Sequence, residues 1–346
     1  MVIRVLDLFV VFLAISAAAC APESSPRPTV VQPPLLLYVS ARSDDGSTAG
    51  SFGDLVAFEV ETARTHWLTD DRFYDSDPAW APDGRIVVFE SRRVGPGRIR
   101  DLSTPSHLFA LDVATGVVAQ YDTALEARLP RLAARTPARQ YSAPAYAHGG
   151  QRLAFAMSRP EGTHLDLAVF DEATGSLRVV LEDVRGLDDV RWSNDDRHIA
   201  YTFTKRGERV GAMGRYIGVL EVATGQITTL DEAGWQYGLG GLRAGRLLYA
   251  APNRRGGSGV MLIEQALDTD STRTLGSFDG KKGLSMSNFV YGPEGTVYFI
   301  GTRYESEFDY TSDIYAYDLA TGRTTRLTID GRHKHDLRYT SSFLEP

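Results

Sequence analysis

The chain has 346 residues, a formal net charge of −7, and ordinary globular proportions of 43% hydrophobic and 23% charged residues. An acidic balance gives no electrostatic support for bulk nucleic-acid binding. A single cysteine excludes an intramolecular disulfide, and no apolar run after residue 20 is long enough to span a bilayer.

Residues 1–20 read as an export signal. Arg4 opens a short polar region, Leu8 to Ile15 forms an apolar core, and Ser16-Ala-Ala-Ala-Cys20 follows. Three small residues directly before Cys20 resemble a bacterial lipoprotein box, which implies acylation of Cys20. Ala17 stands where leucine is usual and Asp7 interrupts the apolar region. The alternative is cleavage after Ala19 that leaves a free thiol. Residues 21–34, rich in proline and serine, read as a tether. Ala21 after the cysteine implies, by the same resemblance, an outer-membrane anchor facing the periplasm.

From residue 35 onward two elements recur in step. The first is an acidic turn: a worn Glu59-Val-Glu-Thr-Ala63, then Asp112-Val-Ala-Thr-Gly116, Asp171-Glu-Ala-Thr-Gly175, Glu221-Val-Ala-Thr-Gly225 and Asp318-Leu-Ala-Thr-Gly322. Strand-forming runs flank each copy, which reads as a β-hairpin. The second begins at Asp77-Pro-Ala-Trp-Ala-Pro-Asp-Gly84 and returns at Ala143, Asp189 and Asn288, each copy followed by an apolar strand. A degenerate copy spans Gly238 to Tyr249, with Gly241 in the aromatic place. Each unit therefore holds four strands in about 50 residues, the size of a propeller blade.

The ends complete the count. Asp336-Leu-Arg-Tyr-Thr340 matches Asp189-Val-Arg-Trp-Ser193 but has no second strand after it, and Leu36 to Arg42 matches a second strand with no first. Joined in one blade, they close an all-β, six-bladed β-propeller and leave no open edge. A β-solenoid or flat array is the alternative.

Pro78 to Arg93, preceded at the blade boundary by Leu68-Thr69, resembles the repeat of TolB-type propellers. The resemblance runs from about residue 35 to 344. Similar repeats occur in prolyl oligopeptidases and oligogalacturonate lyases. It implies contact with a peptidoglycan-associated lipoprotein through the channel mouth, so a Tol-Pal-type partner is one expectation. TolB-type proteins carry an α/β domain ahead of the propeller, where this sequence has only the tether.

Both kinds of tight turn fall at one end of the ring. The long connections Ser43–Gly53, Val94–Ser106, Asp122–Tyr141, Arg206–Arg215, Arg254–Gly259 and Tyr304–Ser312 fall at the other, where a site is expected. Two charge series point there: Asp77, Asp189, Asn288 and Asp336 where the innermost strand begins, and Arg42, Arg93, Arg159, Lys205 and Arg303 where the second strand ends. They read either as a charged channel mouth that grips a peptide or glycan, or as repeated Asp–Arg bridges between strands. Arg128, Arg131, Arg135 and Arg139 form a patch for anionic glycan or lipid headgroups, or else merely solubilise an inserted loop. A short helix is expected within Thr123 to Arg135, up to Pro130.

No nucleophile elbow is present: Gly283-Leu-Ser-Met-Ser287 and Gly256-Gly-Ser-Gly259 are near misses. His333 and His335 share a strand face and with Asp336 form a weak zinc or manganese candidate, against a solvated loop. Residues Tyr304 to Asp313 are acidic enough for calcium but lack EF-hand spacing. The expected function is a non-catalytic envelope binding scaffold, monomeric, without cofactor or resident metal, engaging a protein, peptide or anionic glycan. The alternative is a lyase-like enzyme acting on polysaccharide at the channel mouth.

Overall fold

Runs such as Leu35-Leu-Leu-Tyr-Val39 are apolar at every position because both faces of each sheet are covered. Leu35, Leu37 and Val39 pack against Trp80, Val87 and Phe89 on one side, while Leu36 and Tyr38 pack against Val290, Tyr298 and Ile300 on the other. The computed structural model describes residues 33–42, 52–71, 73–93, 105–128, 140–158, 164–205, 216–230, 238–253, 259–278, 284–293, 295–304 and 310–340.

These residues form six four-stranded antiparallel sheets. Blade 2 runs from Asp75 to Gln120, blade 3 from Tyr141 to Arg185, blade 4 from Asp188 to Leu230, blade 5 from Gly238 to Phe278 and blade 6 from Leu284 to Arg326. Blade 1 joins the chain ends. Its strands from Leu35 to Trp67 receive Lys334–Thr340 as the innermost strand, with Leu35 opposite Thr340 and Ser40 opposite Lys334. The chain is thus an all-β, six-bladed propeller closed by its terminal strands.

Innermost strands touch in succession around the ring, and the last, Lys334–Thr340, touches that of blade 2. A separate apolar cluster fills each gap between neighbouring blades; Trp192, Val190 and Ile199 of blade 4 meet Ala154, Leu167 and Val169 of blade 3. Burial of such surface at roughly 25 cal/mol per Å² is the main force holding blade to blade.

The acidic turns behave as their residues require. Asp112, Asp171 and Asp318 each accept the backbone N–H of the threonine three residues on, at 2.8–2.9 Å. The closing glycines adopt φ between 67° and 76°, and Ala63 takes the same left-handed region in the worn copy.

Two local expectations change. The expected short helix is present as Tyr121–Arg128 and begins two residues before Thr123, because Tyr121 and Leu125 bury themselves against blades 2 and 3. In blade 5, Leu242 pairs with Leu247 as Trp80 pairs with Val87, so Leu242, not Gly241, fills the aromatic place. No helix among the described residues is long and apolar enough to cross a membrane.

Candidate functional site

Every innermost strand carries a β-bulge, one extra residue against its partner. In five blades the bulge residue is left-handed: Asp77, Ala143, Asp189, Asn288 and Asp336 have φ between 47° and 56°. Aspartate and asparagine tolerate this region better than other side chains. The acidic series is thus first a conformational requirement.

Beyond the bulge, one residue per innermost strand faces the channel: Ala79, Ala145, Arg191, Gly241, Val290 and Arg338. All six line a central cavity of about 550 Å³. Small or apolar side chains at four places leave the room, and two arginines reach into it from blades 4 and 1, which stand opposite in a ring of six. Pro82, His148, Asn194 and Pro293 of the tight turns also line the cavity and place it toward that end of the ring.

The predicted charges meet differently from a simple acid-to-base ring. Asp77 pairs with Arg338 at 3.3 Å, and Asp189 with Arg191 at 2.7 Å. Asp336 accepts the backbone N–H of Asp77 at 3.0 Å and sits 2.7 Å from His335 Nδ1, which ties blade 1 to blade 2. Asn288 contacts the Ser287 hydroxyl at 3.4 Å. Arg93 turns into blade 2, bonded to Asp75 at 2.5 Å and Asp71 at 2.8 Å, with its guanidinium over Phe73 and Phe89. Lys205 lies 4.2 Å over the Tyr216 ring, and Arg303 is exposed. Arg42 ends its strand, Arg128 ends the helix, and their side chains lie outside the described residues. Cys20, Arg159, Arg131, Arg135 and Arg139 also lie outside them.

Burial and neighbours set the protonation of this cluster. Burial, then Asp336 and Asp188, push the Asp77 carboxyl well up. Burial acts on Asp336 too, but His335, Arg338 and the Asp77 N–H overcome it and hold that carboxyl down. Of the two carboxyls, Asp336 gives up its proton the more readily. Burial, and next Arg338, bring Arg191 down to about 10. On Arg93 the ion pairs with Asp75 and Asp71 outweigh burial and raise it.

His333 and His335 have ring centroids 5.7 Å apart, and His335 stacks on Tyr74. Lys334 between them is no solvated link. It is 2% exposed, and its ammonium donates to the Ser312 carbonyl at 2.9 Å and pairs with Asp330. Among the described residues no group of three or more His, Cys, Asp or Glu side chains is placed to hold a metal ion.

Sequence reasoning passes over Arg191 and Arg338, although a signal is present. The Asp189 and Asp336 copies place arginine before the aromatic where the Asp77 and Ala143 copies have alanine. It also underuses Leu-Thr. Thr69 and Thr328 follow the fourth strands of blades 1 and 6 and bond buried Asp54 and Asp313 at 3.2 and 3.0 Å. Each hydroxyl also accepts a backbone N–H, from Leu55 and Ile314.

The sequence matches no family model and no curated protein. Solved structures do match in shape. TolB from Acinetobacter baumannii superposes with a TM-score of 0.61 at 13% identity over 88% of this chain; the match spans 66% of that structure's length. A putative TolB from Agrobacterium tumefaciens gives 0.58 at 13% identity, covering 90% of this chain and 99% of its own. A nidogen/laminin complex gives 0.59 at 10% identity with the same coverages. At such identities the likeness concerns fold alone. The chain is a six-bladed β-propeller structurally related, at low identity, to TolB-type propellers.

Proposed function

We propose that this chain is a non-catalytic binding scaffold of the cell envelope, exported, lipid-anchored through Cys20, and engaging a protein or glycan partner on its long-loop end. The strand order carries this reading. Connections such as 43–51, 92–106 and 204–215 all leave from one end of the ring, while the connections between described strands at the opposite end are tight turns. A rigid closed ring that gathers its variable connections at one end is a platform for recognition. Protein binding by one propeller of similar shape, in the nidogen/laminin complex, supports the same reading. A Tol-Pal-type partner is the finer version of this proposal.

Crosslinking in the intact envelope, followed by partner identification and intact-mass analysis of the mature N-terminus, tests it. A discrete envelope partner and an acylated Cys20 are expected. An unacylated N-terminus beginning at Cys20 or later removes the anchor, and the absence of any reproducible adduct removes the scaffold.

A second reading, an enzyme acting on polysaccharide, has one observation in its favour: His333 and His335 stand side by side at the start of the closing strand. Stoichiometric metal in the purified protein, lost when both histidines become alanine, together with glycan cleavage would establish it in place of the scaffold.

A further inference from the structure

We propose that the chain is a two-ended spacer: its tight-turn end faces the anchoring membrane, and its long-loop end is presented away from it, to a partner outside the bilayer. This inference rests on the lipid anchor at Cys20 and the long-loop partner surface proposed above, and adds how the two stand to one another.

The path of the chain into the ring carries it. Lys334–Thr340 runs from the long-loop end, where the connection from blade 6 delivers it, to the tight-turn end, where Thr340 lines the central cavity. Leu35 stands opposite Thr340 on one side and opposite Glu59, which opens the outer hairpin turn of blade 1, on the other. The Pro34 carbonyl accepts the Val60 N–H of that turn at 3.1 Å. The chain therefore enters blade 1 among the tight turns and reaches the long-loop end only at Arg42.

The entry point is fixed by the core. Leu35, Leu36 and Leu37 are fully buried, packed toward blade 2 on one face and blade 6 on the other. Their strand is also paired along both edges, with Lys334–Thr340 and with Phe52–Glu59. Moving it to the outside would expose that apolar surface and open the ring. The place where residue 34 leaves the ring is thus a property of the fold.

Reach decides how strongly this orients the ring. Cys20 and Leu35 are 15 positions apart, a span of at most about 50 Å. Strands such as Leu35–Arg42 make the ring about 25 Å tall. With the tight turns toward the bilayer, the tether crosses only the intervening gap and keeps its conformational freedom. With the long loops toward the bilayer, it must first run the height of the ring, which uses half its reach and restricts it. The first arrangement is favoured, and it holds the long-loop end roughly 25–75 Å from the lipid surface. The occupant of that end is then a molecule of the aqueous compartment, not the headgroups of the anchoring leaflet.

Energy transfer to the membrane tests this orientation. The protein is coupled through Cys20, its sole cysteine, to a maleimide lipid in phosphatidylcholine vesicles whose headgroups carry an acceptor dye. A fluorescent residue is placed at 115 or 321, on the outer hairpin turns, or at 205 or 303, where strands leave toward the long loops. Transfer from 115 and 321 should exceed that from 205 and 303 by about two-fold or more, given ends separated by roughly 25 Å. Duplicating residues 21–32 should narrow the difference, because a longer tether lets the ring turn more freely. Equal transfer from the two ends, or stronger transfer from 205 and 303, overturns the proposal. A difference unchanged by the longer tether overturns it too, since direct lipid contact and not the tether would then set the orientation. Failure of the anchor reads separately: an unacylated Cys20 in the intact mass removes the anchor, while the coupled protein still reports which end faces the lipid.

Discussion

At the outer hairpin turns of blades 2, 3 and 6 the repeat says the same thing each time. Asp112, Asp171 and Asp318 accept the same threonine N–H, and glycine closes the loop in the same left-handed conformation. At the innermost strands the same backbone is held by unlike residues. Aspartate, alanine and asparagine all occupy the left-handed bulge, and two residues later the side chain changes from Ala79 and Ala145 to Arg191 and Arg338. Where the residue makes the conformation, as in these three turns, the same residues return. Where the neighbouring sheets enforce the conformation, the side chain is released for chemistry.

The sharpest way to break this contrast is to remove an inter-blade anchor. Trp192 is 4% exposed, packs between blades 3 and 4 and donates its indole N–H to the Ala145 carbonyl at 3.0 Å. Trp192→Ala should cost about 3–5 kcal/mol in denaturant unfolding. A loss below about 1 kcal/mol would mean that the blades do not depend on these knobs.

Charge beside the channel gives the next effect. Burial raises Glu90 from its usual 4.5 to about 7. The folded form then keeps a proton that the unfolded chain has already released. Stability therefore falls as pH rises through that window. Glu90→Gln should be neutral at pH 4 and more stable than wild type at pH 8, by on the order of 1–3 kcal/mol. Parallel pH–stability curves for the two proteins would contradict this.

The bulge supplies a smaller and more pointed effect. Ala143 stands at φ 50°, where an alanine is strained. Ala143→Gly should stabilise by about 0.5–1 kcal/mol, while Ala145→Gly in the same strand should destabilise by a similar amount. Equal signs for the two would dissolve the distinction between bulge and channel positions.

The outer turn gives the smallest effect. Hydrogen bonds from Thr174, chiefly its N–H, hold the Asp171 carboxyl below its ordinary 3.8. Its contribution is present above that value and fades as pH falls below it. Asp171→Ala should cost no more than about 0.5 kcal/mol at pH 7, since the group is exposed, and the difference should shrink in acid.

Blade number, ring closure and the two ends were legible in the sequence because turns and β-branched runs report directly on backbone conformation. Register in blade 5 was not. Gly238-Leu-Gly-Gly241 offers little side-chain pattern to fix where the bulge falls, so Gly241 stood for Leu242. Lys334 was misjudged because Arg-His-Lys-His-Asp reads as solvated, whereas the lysine's acceptors, the Ser312 carbonyl and Asp330, come from before the closing strand. The arginine pair was hidden by the repeat itself. Its two members are 147 positions apart as Arg191 and Arg338, and only the ring sets them opposite each other.

Position-resolved photocrosslinking in the intact envelope tests the division between the two ends most directly. A photoreactive residue at 205 or 303, where strands leave toward the long loops, should give a discrete adduct. The same residue at 115 or 321, on the outer hairpin turns, should give none. Adducts from the hairpin turns equal to those from 205 and 303 would contradict the account.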